Sequence, residues 1–346
     1  MVRALVVAIV LFLAGACSVT APFRDQARPA PDPAPAPSRS GGLFAGPQPW
    51  TTDVSGAPAS ERSPAVLAAL TAAGGWGNGN VLQIDTSMPV LTADGSTRRL
   101  TVGPNADYCF GGIPDCDPVP AEMPVPEGAV IEGSSDLTCD ATAEDCHLLV
   151  ADTAGRRLYE LYQATQVGDG LTATGLFVWD LDRAYSDDLR GPQCTSADAA
   201  GFPIAALTPT ADEVATGRID HALRFILPND RMKADVYVPP ATHAGGPTNP
   251  DPDAPPYGVH LRLKPTVDTA AYTGPQRVVL TALQTYGMYL SDGGEIALTF
   301  ADDRFSTARW ADLGIEPRTF AGLTVDDFEV IDHGPEVPVT YDCARN

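Results

Sequence analysis

The sequence is short of positive charge. It contains 22 lysine and arginine residues against 44 aspartate and glutamate residues, and its net charge at neutral pH is −22. A surface of this sign repels the phosphate backbone of DNA and RNA, so the charge balance argues against nucleic-acid binding. It also disfavours a strongly anionic polysaccharide as ligand, unless the binding site is locally basic.

The sequence also lacks the short motifs of several enzyme classes. It has no G-x-S-x-G nucleophile elbow, no H-E-x-x-H zinc-protease motif, no phosphate-binding glycine loop and no EF-hand. It has no C-x-x-C pair, so a zinc site built on its cysteines is disfavoured. Asp251 and Asp253 have too few oxygen ligands nearby to predict calcium binding. We therefore predict neither a metal ion nor a cofactor.

Only one long apolar run is present, from Ala4 to Ala14. Its 11 residues suit the core of a signal peptide and are too few for a stable membrane-spanning helix. The run follows Arg3 and ends in small residues before Cys17, as lipoprotein processing requires. We expect residues 1–16 to be an export signal and Cys17 to carry lipid that anchors the protein to a membrane. Plain secretion with cleavage at the same bond is the alternative.

Residues 17–47 have the composition of a tether. Proline and alanine alternate in this region, which favours an extended and semi-rigid spacer. Residues 48–346 have the composition of one globular unit, and no repeat or second linker divides them. We therefore expect a single monomeric domain that is held away from the cell surface, facing the cell exterior or the periplasm.

Six cysteines remain besides Cys17, and in an exported protein this even number allows all of them to form disulfide bonds. Two pairs each enclose a short, turn-rich loop whose ends can come within bridging distance. The remaining two cysteines would then tie the C-terminal segment to the body of the domain. The predicted disulfide bonds are Cys109–Cys116, Cys139–Cys146 and Cys194–Cys343.

Short strand-like segments dominate the domain, since runs of aliphatic and aromatic residues alternate with glycine, proline and aspartate. They lie at residues 81–84, 147–151, 157–162, 175–179, 221–226 and 259–263, and residues 152–155 have the composition of a hairpin turn. Helical spacing of apolar residues occurs at 63–73 and 274–290. The sequence predicts a mainly β fold, an antiparallel β-sandwich or jelly-roll-like domain with two or three helices.

Four segments resemble segments that recur in the same order in a family of secreted proteins from high-GC actinobacteria and myxobacteria. They are TSADAAGFPI from Thr195, DHALRF from Asp220, LRLK from Leu261 and TYGM from Thr285. The family has no assigned activity, but some of its members carry carbohydrate-binding modules, so the resemblance implies a polysaccharide ligand. This chain differs from the family pattern at Ala211, where tyrosine is usual, and at Val238, where tryptophan is usual.

The residues that could carry chemistry suggest a glycoside hydrolase, which uses a pair of carboxyl groups on opposite sides of a sugar. We predict Asp180 and Asp198 as that pair and His221 as the third member of the catalytic set. The predicted substrate-binding residues are His147, Glu213, Arg224, His243 and Trp310. Three alternatives stay open: a lyase that uses Arg224 and Tyr286, a non-catalytic envelope-binding or adhesion lipoprotein, and a structural protein. Convergence of the catalytic set in one cleft would favour an enzyme.

Overall fold

The computed structural model describes residues 42–109 and 114–346. The predicted signal peptide, Cys17 and the tether up to residue 41 lie outside the described residues. Within the described ranges, no helix is both long enough and apolar enough to cross a membrane.

Most of the regular structure is β. The strands are β1 (Ile84–Met88), β2 (Val90–Ala93), β3 (Arg99–Pro104), β4 (Ala121–Pro124), β5 (Leu148–Asp152), β6 (Arg157–Tyr162), β7 (Thr165–Val167), β8 (Gly170–Ala173), β9 (Gly175–Asp180), β10 (Leu223–Leu227), β11 (Val236–Tyr237), β12 (His260–Leu263), β13 (Met288–Gly293), β14 (Leu298–Ala301), β15 (Phe328–Val330) and β16 (Val337–Pro338). The helices are α1 (Ser63–Ala72), α2 (Gly77–Asn80), α3 (Ile204–Leu207), α4 (Ala211–Thr216) and α5 (Gly274–Thr285). Short 3-10 turns lie at Pro49–Thr51, Asn229–Arg231, Asp303–Phe305 and Val325–Asp327. The prediction of a mainly β fold is confirmed.

The sheets are mixed rather than antiparallel. One has the strand order β1-β14-β10-β13-β12-β15, two others have the orders β2-β5-β6-β9 and β4-β3-β8-β7, and β11 pairs with β16. The pairs β1–β14, β10–β13, β2–β5 and β3–β8 are parallel. The expected antiparallel sandwich or jelly roll is therefore not confirmed. Turn residues indicate local hairpins such as β5–β6, whereas parallel strands pair across long connections that leave no local pattern.

Strand β5 contributes to two hydrophobic clusters. Leu148 and Val150 lie in a cluster that contains side chains from both four-stranded sheets, whereas Leu149 and Ala151 lie in a larger cluster that includes the six-stranded sheet. Successive side chains of a strand point to opposite faces, so β5 is buried on both sides. This double burial explains why the strand is an unbroken apolar run rather than an alternating pattern.

Helix α5 is shorter than predicted. It begins after Thr273, whose side chain accepts a hydrogen bond from the backbone N–H of Gln276. It ends before Gly287, whose φ of +70° is left-handed and whose added Cβ would lie 2.5 Å from the carbonyl oxygen of Leu261. The apolar residues after Gly287 therefore belong to strand β13 and not to the helix. The other predicted helix agrees with α1.

All three predicted disulfide bonds are present: Cys109–Cys116, Cys139–Cys146 and Cys194–Cys343. The first two close short loops, each with a sequence separation of 7. The third spans 149 residues and ties the C-terminal segment to the loop before α3. The chain has seven cysteines, so Cys17 is the one outside these bonds.

Candidate functional site

Arg224 of β10 lies at the centre of a buried group of polar side chains. Its Nε donates to Oδ1 of Asp198 at 2.9 Å, and its Nη2 donates to Oδ2 of Asp292 at 3.1 Å. Its Nη1 donates to Oγ1 of Thr299 at 2.8 Å. A guanidinium group stays protonated in proteins and its planar fork matches carboxylates well. One permanent cation therefore faces two carboxyl groups.

A register irregularity places Asp292 on the same face of the sheet as Arg224. In the parallel pair β10–β13, Arg224 lies opposite Tyr289, but Ile226 lies opposite Asp292 because the register shifts after Phe225. Without that extra residue, Asp292 would point to the other face of the sheet. The irregularity thus decides which carboxyl group of this strand reaches the arginine.

His147 adds a second cation. Its Nδ1 lies 2.7 Å from Oε2 of Glu132, and its Nε2 lies 2.9 Å from the carbonyl oxygen of Ala197, the residue before Asp198. Both partners can only accept, so both ring nitrogens donate and the ring is protonated. Burial lowers the pKa of His147, but the interaction with Glu132 outweighs burial and raises it to about 9. We call Arg224, Asp198, Asp292, His147 and Glu132 the Arg224 cluster.

Glu132 and Asp292 form the accessible side of the Arg224 cluster. Each of these side chains is 23% exposed, whereas Asp198 is 0% exposed. Burial alone would raise the pKa of both accessible carboxyl groups. His147 reverses this effect and lowers the pKa of Glu132, whereas Arg224 does not reverse it and the pKa of Asp292 stays raised. Carboxyl groups whose pKa values are pushed apart are suited to opposite roles in proton transfer.

Asp198 is the fully buried carboxyl group of the Arg224 cluster. Burial raises its pKa to about 8, Arg224 opposes the change, and the neighbouring Asp292 adds to it. Its Oδ2 has no hydrogen-bond partner in the described part of the chain. Because Asp198 is fully enclosed, it can influence the charge of Asp292 through Arg224 but cannot touch a bound substrate.

Two more side chains border the Arg224 cluster. Tyr162 is partly exposed, and its ring centroid lies 5.8 Å from that of His147. The Nδ1 of His243 lies 2.9 Å from the carbonyl oxygen of Ala199, whose N–H points to Oδ2 of Asp292 at 3.4 Å. Burial lowers the pKa of His243, so this ring is neutral at neutral pH. The predicted residues His147, Asp198, Arg224 and His243 are therefore neighbours.

The structure does not bring the predicted catalytic set together. Asp180 ends β9 and pairs with Arg157 at 2.9 Å on the surface, where both side chains are 41% exposed. His221 is buried, with its Nε2 at 3.4 Å from Oε1 of Glu213 and its Nδ1 at 2.8 Å from the carbonyl oxygen of Ala222. Neither residue shares a hydrogen bond or an ion pair with Asp198 among the described residues. Asp180, Asp198 and His221 thus lie in three separate environments.

Two predicted substrate-binding residues have structural roles instead. Glu213 caps helix α4, because its Oε2 accepts from the N–H of Thr210 at 2.8 Å while the Thr210 hydroxyl accepts from the Glu213 N–H. Trp310, predicted to bind substrate, is buried. Its Nε1 donates to the carbonyl oxygen of Ala301 at 2.8 Å and its ring packs against Phe300.

Sequence reasoning missed the two accessible carboxyl groups. Asp292 lies near the end of β13, two residues after the apolar run Met288–Leu290, and the predicted helix 274–290 wrongly included that run. Glu132 lies in an irregular segment between β4 and β5, and nothing in its local sequence distinguishes it from other surface acids. Only the contact with His147 makes it notable.

Similarity to known proteins does not assign a role to these residues. No protein-family model matches the chain, and no curated protein or solved structure matches it significantly.

Proposed function

We propose that this chain is an exported lipoprotein, anchored through Cys17, that hydrolyses glycosidic bonds of an extracellular polysaccharide at the Arg224 cluster. The observation that carries the hydrolase proposal is the pair Glu132 and Asp292. These two carboxyl groups are partly exposed, are each held by a buried cation, and have pKa values that shift in opposite directions.

The export part of the proposal is supported by the cysteines. Six of the seven cysteines form disulfide bonds, which suits an oxidising compartment outside the cytoplasm. The seventh is Cys17, and it follows an apolar run and small residues of the kind found at lipoprotein-processing sites. Lipid modification would leave the mature protein without a free thiol.

In the proposed reaction, Asp292 donates its proton to the glycosidic oxygen as the bond to the anomeric carbon breaks. Glu132 takes a proton from the attacking water, whose oxygen forms the new bond to that carbon. Arg224 then compensates the negative charge left on Asp292, while His147 keeps Glu132 ionised before the reaction. Asp198 and His147 act from beneath as positioning residues.

The carbohydrate part of the proposal rests on two observations. Four segments of the chain resemble segments of a family of secreted proteins, some of which carry carbohydrate-binding modules. The four segments are TSADAAGFPI, DHALRF, LRLK and TYGM. The partly exposed ring of Tyr162 beside His147 offers a face on which a sugar can stack. The net charge of −22 favours a neutral polysaccharide over an acidic one.

A second candidate function is non-catalytic binding to the cell envelope. The observation that favours it is that Asp180, Asp198 and His221 lie in three separate environments. In this case the Arg224 cluster would be a structural ion-pair network that holds the Asp198 loop against the six-stranded sheet. The lyase alternative is not supported, since Tyr286 lines a different surface pocket with Arg218 and Asp220.

The proposal is tested by measuring reducing-sugar release from a panel of neutral and acidic polysaccharides, together with thermal shift, using the purified protein. We expect Asp292→Asn and Glu132→Gln each to lower the release rate at least about 100-fold, because each removes a proton-transfer group. Asp169→Asn, an exposed acid between β7 and β8, is the matched control and should leave the rate unchanged.

The outcomes separate the two candidates. Sugar release that survives both substitutions would show that the Arg224 cluster is not the catalytic site. A thermal shift without sugar release would favour the binding function. If no polysaccharide of the panel gives either signal, the carbohydrate proposal fails for that panel.

A further inference from the structure

A second polar site lies at the end of β9. It is a surface pocket with a volume of about 240 Å³. Its charged lining consists of Arg157, Arg183, Arg190, Arg345, Asp117 and Asp180. The four guanidinium groups outnumber the side-chain carboxylates of Asp117 and Asp180 together with the terminal carboxylate of Asn346, which also lines the pocket. The pocket therefore has a local excess of positive charge in a chain whose net charge is −22.

The two carboxylates do not satisfy all four arginines. Asp180 pairs with Arg157 at 2.9 Å, while Asp117 is shared by Arg190 at 3.0 Å and Arg345 at 2.9 Å. Arg183 is exposed and has no acidic partner among the described residues. Its guanidinium carbon lies 4.8 Å from the centre of the Tyr185 ring.

Arg190 is the buried member of the pocket. It is 4% exposed, and its Nε and Nη1 have no hydrogen-bond partner in the described part of the chain. Its guanidinium carbon lies 5.0 Å from the ring centre of Phe177 and 5.6 Å from that of Trp179. Burial lowers the pKa of Arg190 to about 10, so the group is still charged at neutral pH. A buried cation with one shared counterion favours a further anion nearby.

The pocket is held together by parts of the chain that are distant in sequence. Arg157 and Asp180 are cross-strand neighbours in the β6–β9 pair. The disulfide bond Cys194–Cys343 fixes the segment that carries Arg345, and the N–H of Ala344 donates to the carbonyl oxygen of Pro192 at 3.1 Å. The arginines are therefore positioned before any ligand arrives, which lowers the entropic cost of binding.

We propose that this pocket binds a small oxyanion, as a free ion or as the acidic group of a sugar. Arg183 supplies a guanidinium without an acidic partner among the described residues, Arg345 lines the same pocket, and Arg190 provides a buried fixed charge. Arginine forks pair with carboxylate, sulfate and phosphate oxygens through two parallel hydrogen bonds. This site is separate from the Arg224 cluster, and its arginines make it locally basic in an acidic chain.

Calorimetric titration of the purified protein with sodium sulfate, sodium phosphate and sodium glucuronate, each against sodium chloride at equal ionic strength, tests the proposal. We expect binding of at least one oxyanion to weaken about tenfold in Arg183→Gln, as the loss of a charge-assisted hydrogen bond predicts. Asp180→Asn should strengthen binding, because it removes a carboxylate that competes for Arg157. Arg98→Gln, at an exposed arginine outside the pocket, should have no effect.

Tighter binding of glucuronate than of sulfate and phosphate would identify an acidic sugar as the source of the anion, and the reverse order would identify an inorganic ion. The proposal is overturned if no oxyanion binds better than chloride, or if Arg183→Gln and Arg98→Gln behave alike. Because the readout is binding, a failure here is distinct from a failure of the hydrolase proposal.

Discussion

The ion pair between Arg224 and Asp198 and the ion pair between Arg157 and Asp180 have the same N–O distance of 2.9 Å but opposite surroundings. The side chains of the first pair are 5% and 0% exposed, and both side chains of the second are 41% exposed. Water screens the second pair and is excluded from the first. Equal geometry should therefore give unequal contributions to stability.

Removing one partner of the buried pair should be costly. We expect Asp198→Ala to lower the free energy of unfolding by about 4 kcal/mol, because it leaves the buried Nε–H of Arg224 without its hydrogen-bond acceptor. Asp180→Ala, the matched change at the exposed pair, should cost less than about 1 kcal/mol. Urea unfolding at neutral pH with the disulfide bonds intact measures both values. Similar losses for the two variants would contradict the assigned burial of Asp198.

The ion pair between His147 and Glu132 should make stability depend on pH. The pKa of His147 rises from 6.5 to about 9 in the folded protein, so its contribution is complete below pH 6.5 and is lost as the pH rises through 9. We expect the free energy of unfolding to fall by about 3 kcal/mol over this interval. Urea unfolding between pH 6 and pH 10 measures the change.

Glu132→Gln is the control for this pH effect. Without the Glu132 carboxylate, burial dominates and the His147 ring loses its proton below pH 6.5, so this part of the slope should disappear. Other buried acids, including Asp198, have raised pKa values, so they also make the folded protein less stable as the pH rises. Their contribution should remain in Glu132→Gln. Parallel pH profiles for the two proteins would rule out a charged His147.

The hydrogen bond between Trp179 and Glu160 should give an optical signal. Oε2 of Glu160 accepts from Nε1 of Trp179 at 3.1 Å, and Oε1 accepts from the backbone N–H of Ala205 at 2.9 Å. Burial raises the pKa of Glu160 to about 7, although these donors oppose the change. We therefore expect the tryptophan fluorescence to change with a midpoint near pH 7.

Two substitutions assign that signal, since the chain has four tryptophans. Trp179→Phe removes the reporter and Glu160→Gln removes the titrating group, so the transition near pH 7 should be absent from both variants. A transition that persists in either variant would have to come from another residue.

The disulfide bonds should differ in their effect on stability according to the loops they close. Replacing both Cys194 and Cys343 with serine should cost about 5 kcal/mol, because the bond restrains a long unfolded loop. The same replacement of Cys139 and Cys146 should cost about 2.5 kcal/mol, because that loop is short. Urea unfolding without reductant measures both losses, and the reverse order would show that loop entropy does not govern them.

The sequence by itself determined the local features of this protein. It predicted the cysteine pairs, since short turn-rich loops such as Cys139–Cys146 bring their own ends together. It predicted the positions of strands such as β6, because short runs of aliphatic and aromatic residues between turn residues are typical of strands. It also predicted His147, Asp198 and Arg224 as members of one polar site, although not their pairing with Glu132 and Asp292.

Only the tertiary structure decided which charged groups meet. Asp292 reaches Arg224 because the register of the parallel pair β10–β13 shifts by one residue, and Glu132 matters because His147 lies beside it. Asp180, equally acidic in sequence, instead lies on the surface beside Arg157. Parallel pairing and register depend on contacts between distant segments, so the pattern of residues along the chain cannot determine which charges come together or how deeply they are buried.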